Sequence, residues 1–250
     1  MFEFHHSHVR QACLDTLKKL DTPYLDLYLM HWPLALQPEV PSDGSLPVGP
    51  KKDSKTGKPL VDLENSNDNA ACWAAMEALV EEGLVKSIGI SNFNIRRTRQ
   101  LLKTAKIKPV ANQVELSFTC PQPELVAWLK KKDILPQAYS LLGSTGAKQA
   151  SLEVVERMAK KYGCEGANVL ISWQVARGAC ALPKSVTPSR IANNLKLVDL
   201  SKEDVQVLEE EAIKQPFKKT CDQTDSFEPR WDIYEMEHPE NNDKVQCKKD

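Results

Sequence analysis

Leu25-Asp26-Leu27-Tyr28-Leu29-Met30-His31-Trp32-Pro33 runs from a nearly unbroken apolar stretch into a histidine, a tryptophan and a proline. Near-continuous apolarity over so short a run suits a parallel strand covered on both faces, where no solvent-facing side demands alternation. His31 and Trp32 then stand at the carboxyl end of that strand. Just before it, residues 8 to 20 place Val9, Ala12, Cys13, Leu17 and Leu20 on one side of a helix.

The same reading extends along the chain. Further strands are expected at Ser87 to Ile90, Val110 to Glu115, Ile134 to Ser140 and Ala179 to Pro183. Residues 69 to 82 group Ala71, Cys72, Ala75, Met76, Leu79 and Val80, with Gly83 as a natural helix stop. Pro123 suits a first helical position ahead of Leu125, Val126, Trp128 and Leu129. Val154, Val155, Met158, Ala159 and Tyr162 make another stripe. Thr187 before Pro188 reads as an N-cap followed by an N1 proline, and Ser201 with Asp204 has the form of a capping box. Strands alternating with helices imply right-handed crossovers and a parallel sheet. The expected order is a helix and then five strand–helix units. Residues 34 to 68, rich in Pro, Gly and Lys, fall outside this rhythm as a long polar loop. The chain beyond Ile213 turns irregular, and its charged last dozen residues are expected to be disordered.

Composition narrows the function. The chain has 250 residues, 41% hydrophobic and 27% charged, with a formal net charge of -1. No basic excess is present to neutralise phosphates, which argues against nucleic-acid binding. No apolar run approaches the length of a membrane span. The start lacks a basic segment followed by an apolar core, so no secretory signal is expected. Seven cysteines, widely spaced and without a C-x-x-C pair, fit a reducing cytoplasm and support neither a zinc site nor a disulfide scaffold. Cys72 and Cys180 read as buried thiols.

In a parallel α/β protein, ligands bind at the carboxyl ends of the strands. The residues there are His31-Trp32, Ser91-Asn92, Gln113, Tyr139-Ser140 and Lys184-Ser185. His31 is either a structural histidine beside a packed tryptophan or an imidazole that orients a carbonyl. Ser91 and Asn92 either cap the next helix or, with Gln113, match a carboxamide. Tyr139 is either a core aromatic or a stacking platform for a flat heterocycle. Leu141-Leu142-Gly143-Ser144-Thr145 is small and flexible enough to pass near a pyrophosphate. Pro183-Lys184-Ser185-Val186-Thr187-Pro188-Ser189-Arg190 sets two cations and several hydroxyls about a helix amino terminus. That is either a solvated basic turn or a phosphate site.

Taken together, the 25–33 stretch, Gly89-Ile90-Ser91-Asn92-Phe93, Asn112-Gln113-Val114-Glu115, Ala138-Tyr139-Ser140 and Leu182-Pro183-Lys184-Ser185-Val186-Thr187-Pro188 resemble the aldo-keto reductases, in that family's order and at about its spacing. The likeness is strongest to the fungal glycerol dehydrogenase and aldehyde or xylose reductase types, and it covers residues 7 to about 215. It implies a (β/α)8 TIM barrel, here incomplete at about five of eight βα units, as one NADP-binding domain over residues 1–215 with a loop and tail over 216–250. It implies hydride transfer between NADP(H) and a small aldehyde, ketone or alcohol. His31 would orient the carbonyl as the catalytic histidine, and Trp32 would line the substrate pocket. Ser91, Asn92 and Gln113 would hold the carboxamide, and Tyr139 would stack on the nicotinamide. Ser140, Leu142, Gly143 and Ser144 would follow the pyrophosphate. Lys184, Ser185, Val186, Thr187, Arg190 and Asn194 would hold the adenosine end, with Lys184, Ser185, Thr187 and Arg190 gripping the 2′-phosphate. The long loop and the tail around Phe227 and Trp231 would shape substrate choice. No metal is implied.

The sequence departs from the family at Asn193, where many members have a glutamate near the adenine, at Leu141, where many have proline, and at Leu116-Ser117-Phe118, which replaces a Cys-His-Pro-type segment. The family's proton donor is a tyrosine whose pKa is lowered by a lysine paired with an aspartate, all within the first three βα units. The resemblance places the start of this sequence at the third helix, so those three residues are expected to be lacking, at a cost of ~10²–10⁴-fold in general acid catalysis. The alternative is a non-catalytic protein that binds NADP or a partner.

Overall fold

A computed structural model describes residues 8–42, 49–144 and 148–235. Met1 to Ser7, Thr145 and the charged carboxyl end lie outside the described residues. The elements follow in chain order: α1 Val9–Leu20, β1 Leu25–Met30, α2 Leu63–Asn67, α3 Ala70–Glu81, β2 Val85–Ser91, α4 Ile95–Leu101, β3 Ala111–Glu115, α5 Pro123–Lys131, β4 Leu135–Tyr139, α6 Glu153–Tyr162, α7 Gly166–Ala176, β5 Cys180–Ala181, α8 Pro188–Asn193 and α9 Lys202–Lys214. The strand order β1-β2-β3-β4-β5 is sequential. This is the expected parallel α/β arrangement, five strands of the kind that build a (β/α)8 barrel. The chain divides into two compact units, Met1–Asn112 with Gln223–Asp250, and Gln113–Asp222, so the boundary runs through β3.

In the first unit β1 pairs in parallel with β2, from Leu25 opposite Val85 to Met30 opposite Ile90. Gly89 permits the next strand to approach, because a Cβ there would lie 2.8 Å from the Ala111 carbonyl oxygen. The core comprises Val9, Cys13, Leu17, Met30, Trp73, Leu79, Ile88 and Ile90, among others. Leu20, expected on the buried side of α1, is 62% exposed, since the helix ends at once in a left-handed Asp21. The buried face of α3 is Trp73, Met76, Glu77 and Leu79, rotated from the one expected through Ala71 and Cys72. The rotation has a polar cause. Trp73 donates its indole N–H to the Ile107 carbonyl at 3.0 Å. Glu77 accepts the Lys106 and Ile107 amides at 2.7 and 2.8 Å.

Residues 34–42 and 49–68 are more structured than a polar loop. Antiparallel bridges join Leu36 to Val61, Pro38 to Pro50 and Lys52 to Pro59. The helix α2 follows, capped by the Asp62 carboxylate on the Asn65 amide. Leu34, Leu36 and Val61 form a second core with Phe227, Ile233 and Tyr234.

In the second unit β4 and β5 pair in parallel, Gln137 opposite Cys180 and Ala138 opposite Ala181. Only two residues of the expected Ala179–Pro183 strand join the ladder. The helix α7 had no counterpart in the sequence reading. It buries Asn168 through Gln174 consecutively, so it carries no amphipathic stripe. Its start is a capping box between Glu165 and Asn168. At α9, Ser201 accepts the Asp204 amide as expected. The reciprocal half of the box is absent: the Tyr162 hydroxyl takes the Ser201 N–H at 2.9 Å, while the Asp204 carboxylate accepts from Lys161 and Tyr162. Cys72 and Cys180 are only partly buried; Cys13 and Cys120 are the buried thiols among the described residues.

Candidate active site

The first unit carries His31, Trp32, Ser91 and Asn92. His31 follows β1 directly and is exposed, with its ring 5.5 Å from that of Trp32 at 40°. Ser91 ends β2 and is buried, as is Asn92. Asn92 adopts φ 64°, a left-handed conformation that asparagine tolerates better than most residues. Its side-chain amide donates to the His31 carbonyl at 3.0 Å and to the Ser91 hydroxyl at 3.2 Å. The strand ends bearing His31 and Ser91 are thereby stitched together. Neither Ser91 nor Asn92 caps the following helix. Asn94 does, accepting the Arg97 amide at 2.8 Å. The helix-cap reading of Ser91 and Asn92 is thus excluded, because both side chains face the strand ends instead.

The second unit carries the remaining residues. Gln113 lies in the middle of β3, not at its end, and donates to Gln137 of β4 at 3.0 Å. The strand runs on to Glu115 because that carboxylate is wholly enclosed. It accepts the Thr220 amide and hydroxyl at 2.8 and 2.7 Å and the Cys221 amide at 3.0 Å. Tyr139 is the last residue of β4 and half-buried. Ser140 follows in a left-handed conformation, and the Gly143 amide closes a turn onto its carbonyl at 2.8 Å. Leu142 packs its side chain on the unit's core; Ser144 is exposed.

Lys184, Val186, Thr187 and Arg190 are all exposed, Val186 by 80%. Thr187 occupies the N-cap position of α8, with Pro188 at its start, but its hydroxyl makes no cap bond. Ser185 takes over part of that task, its hydroxyl accepting the Thr187 amide at 3.1 Å. Lys184 and Arg190 have no carboxylate partner among the described residues. Asn194 is the C-cap of α8, and Asn193 pairs with Asn168 of α7 through side chain and carbonyl. Two unpaired cations at an uncapped turn fit a phosphate group.

Three groups beside these residues were not singled out in the sequence. Tyr234 packs edge-on against Trp32, with centroids 6.2 Å apart at 63°. Glu235 pairs with Arg96 and Arg97. The Cys221 thiol lies 3.6 Å from the Ser140 hydroxyl. The aromatic character of the tail around Trp231 was the one available signal. Among the described residues no His, Cys, Asp and Glu cluster could hold a metal ion, and no helix is long and apolar enough to cross a membrane.

Residues 1–213 match the Aldo/keto reductase family. The chain is 39% identical over 210 residues to a glycerol 2-dehydrogenase (NADP(+)) of Hypocrea jecorina and 39% identical over 233 residues to the one of Saccharomyces cerevisiae. It is 41% identical over 203 residues to aldose reductase B of Dictyostelium discoideum. These alignments cover 82%, 92% and 80% of the chain, and the chain spans 64%, 72% and 63% of those relatives' lengths. The solved aldose reductase of Giardia lamblia superposes with a TM-score of 0.76 at 33% identity, over 90% of this chain and 74% of that one. The chain belongs to the aldo/keto reductase family.

Proposed function

We propose that this protein is an NADP-dependent oxidoreductase that interconverts a small aldehyde or ketone and an alcohol by hydride transfer. The observation that carries the reading is the turn from Lys184 to Arg190, where two exposed cations without carboxylate partners flank an uncapped helix start. A ribose 2′-phosphate would supply the missing negative charge, which favours NADP over NAD. The names of the relatives from Hypocrea jecorina and Saccharomyces cerevisiae support the same cofactor.

When bound, NADPH would supply the hydride, and the alkoxide left on the substrate oxygen would take its proton from water; binding and orienting the reactants fall to the chain. His31, exposed at the end of β1, orients the substrate carbonyl by donating an imidazole N–H. Trp32 forms an apolar wall beside it. Asn92, held by its bond to the His31 carbonyl, and Ser91, which accepts from Asn92, serve the carboxamide. Tyr139 presents a ring for stacking, the Ser140 to Ser144 turn presents backbone amides to the pyrophosphate, and Asn194 with Val186 flanks the adenosine. Seven widely spaced cysteines without a C-x-x-C pair suit a cytoplasmic setting.

The test is a fluorescence titration of the full chain with NADPH and NADH, together with NADPH oxidation in the presence of short aldehydes. NADPH is expected to bind tighter than NADH by roughly tenfold or more. Equal affinity for the two, or none for either, overturns the reading.

A further inference from the structure

The tail returns to the first unit as irregular chain whose one helical turn among the described residues is a short 3₁₀ segment, Thr224–Ser226. Yet it contributes Phe227, Ile233 and Tyr234 to a core shared with Leu34, Leu36 and Val61, and Trp32 and Trp231 pack against that core. Chain with so few ladder bonds needs fixed points. One is Glu228, whose amide donates to the Pro59 carbonyl at 2.9 Å and whose carbonyl accepts the Val61 amide at 2.8 Å. The other is Glu235.

The Glu235 carboxylate accepts from Asn94 at 2.9 Å, from Arg96 Nε at 2.7 Å and again from Arg96 Nη2, and it lies 3.0 Å from Arg97 Nε. Asn94 also donates to the Tyr234 carbonyl at 3.0 Å. Arg97 is buried, and its other arm donates to the Ser66 carbonyl at 2.8 Å. The Ser66 hydroxyl in turn bonds both the amide and the carbonyl of Ala35, at 2.9 and 3.1 Å. A buried guanidinium needs its charge matched; Glu235 matches that of Arg97 across 3.0 Å, although the Arg97 Nε–H itself makes no hydrogen bond. Here that demand joins three pieces of chain: the start of α4, the 34–68 excursion and the tail.

We propose that Arg97 and Glu235 are positioning residues that set substrate affinity by holding Tyr234 against Trp32. The path is short. Glu235 adjoins Tyr234, Tyr234 packs edge-on to Trp32 at 6.2 Å, and Trp32 adjoins His31, with their rings 5.5 Å apart. With Tyr234 released, the Trp32 ring loses its backing and the wall beside the carbonyl softens. This inference rests on the reading of Trp32 as a substrate wall.

The experiment uses the full chain and two variants, Glu235→Gln and the milder Arg97→Lys. Amide exchange is followed by mass spectrometry, alongside KM and kcat for an aldehyde and the Kd for NADPH. In Glu235→Gln, exchange over residues 228–235 and 59–61 is expected to speed by roughly tenfold or more, with α1 and α3 unchanged. KM for the aldehyde rises several-fold, while kcat and NADPH affinity hold. Arg97→Lys, which keeps the charge but loses the fork, gives a smaller shift in the same direction. Uniform acceleration along the chain, or an unchanged tail, overturns the proposal. So does a loosened tail with an unmoved KM, which leaves the reductase reading standing. Should the wild type neither bind NADPH nor reduce aldehydes, the reductase reading fails by itself and substrate positioning falls with it, whatever the tail exchange shows.

Discussion

The side-chain amide of Asn92 donates to the main-chain carbonyl of His31 at 3.0 Å, and does so from a left-handed backbone at φ 64°. Two requirements therefore meet at one position, a donor of the right reach and a residue that tolerates positive φ. Asn92→Gly meets the second and loses the first. Asn92→Ala loses both. The expected order of stability in urea is wild type, then Gly, then Ala, with Ala lower than wild type by about 2 kcal/mol. A Gly variant no more stable than the Ala variant would show that the left-handed backbone carries no cost here.

Glycines at two close approaches admit a sharper prediction. A Cβ on Gly166 would lie 2.1 Å from the Ala150 carbonyl oxygen, and one on Gly89 would lie 2.7 Å from Leu29 Cδ2 and 2.8 Å from the Ala111 carbonyl oxygen. Both clashes involve main chain, which gives way less readily than a flexible side-chain tip. Gly166→Ala and Gly89→Ala are each expected to destabilise by about 2 kcal/mol or more, the former more severely. Gly163→Ala offers a contrast, since its site is open and only its φ of 63° penalises a side chain. Urea midpoints of the three variants check the ranking.

Glu77 of α3 answers two partly buried amides with one oxygen, Lys106 at 2.7 Å and Ile107 at 2.8 Å. Glu77→Gln keeps an acceptor in place but gives up the charge that strengthens both bonds, at a cost of about 1 kcal/mol. Glu77→Ala strands both donors and costs about 2–3 kcal/mol. Thermal melting of the pair separates the lost acceptor from the lost charge.

These contacts also mark where the sequence stopped being legible. β1 is legible to the residue from its apolar run, although the strand is less covered than that run implies: only Met30 is buried, and Asp26 is exposed. α5 and α6 were readable because each has one wet face. α7 was not, because consecutive burial erases the 3.6-residue stripe that a sequence displays. Glu77 was hidden for the opposite reason: a carboxylate in a helix reads as solvent-facing until the amides it serves, 29 and 30 residues away, are known. The candidate site divides in the same way. The strand-end residues were found by their position after apolar runs. The Glu235 pairing with Asn94 and Arg96 spans 141 and 139 residues, and no local pattern encodes it. Gln113 stands two residues short of the end of β3, and the enclosure of the end residue Glu115 by Thr220 and Cys221, more than a hundred residues later, has no local signature.

The Asp204 carboxyl is held below its usual value of 3.8, first by the hydrogen bond from Lys161 and then by that from Tyr162. A carboxylate with a depressed folded-state pKa contributes stability that is present above the unfolded pKa and is lost as pH falls through the folded one. Unfolding then takes up a proton in the window from about pH 4 downward. The wild type is expected to lose stability over that window more steeply than Asp204→Asn, whose urea midpoint starts lower at pH 6. Parallel curves for the two proteins would contradict the assignment.

The last prediction separates the two cations of the proposed phosphate turn from the rest of the site. Lys184 and Arg190 are exposed and lack carboxylate partners among the described residues, so neither supports the fold through an ion pair. Lys184→Ala and Arg190→Ala should therefore leave the melting temperature close to wild type. Each should weaken NADPH binding by roughly tenfold, the worth of one charge-assisted hydrogen bond, while NADH binding stays unchanged. Arg190→Lys should recover only part of the loss, since a point charge replaces a planar fork. Raising salt should erode the NADPH preference of the wild type and leave the double variant nearly indifferent, because screening acts on exposed charges first. A double variant that still prefers NADPH over NADH would move the 2′-phosphate site elsewhere on the chain.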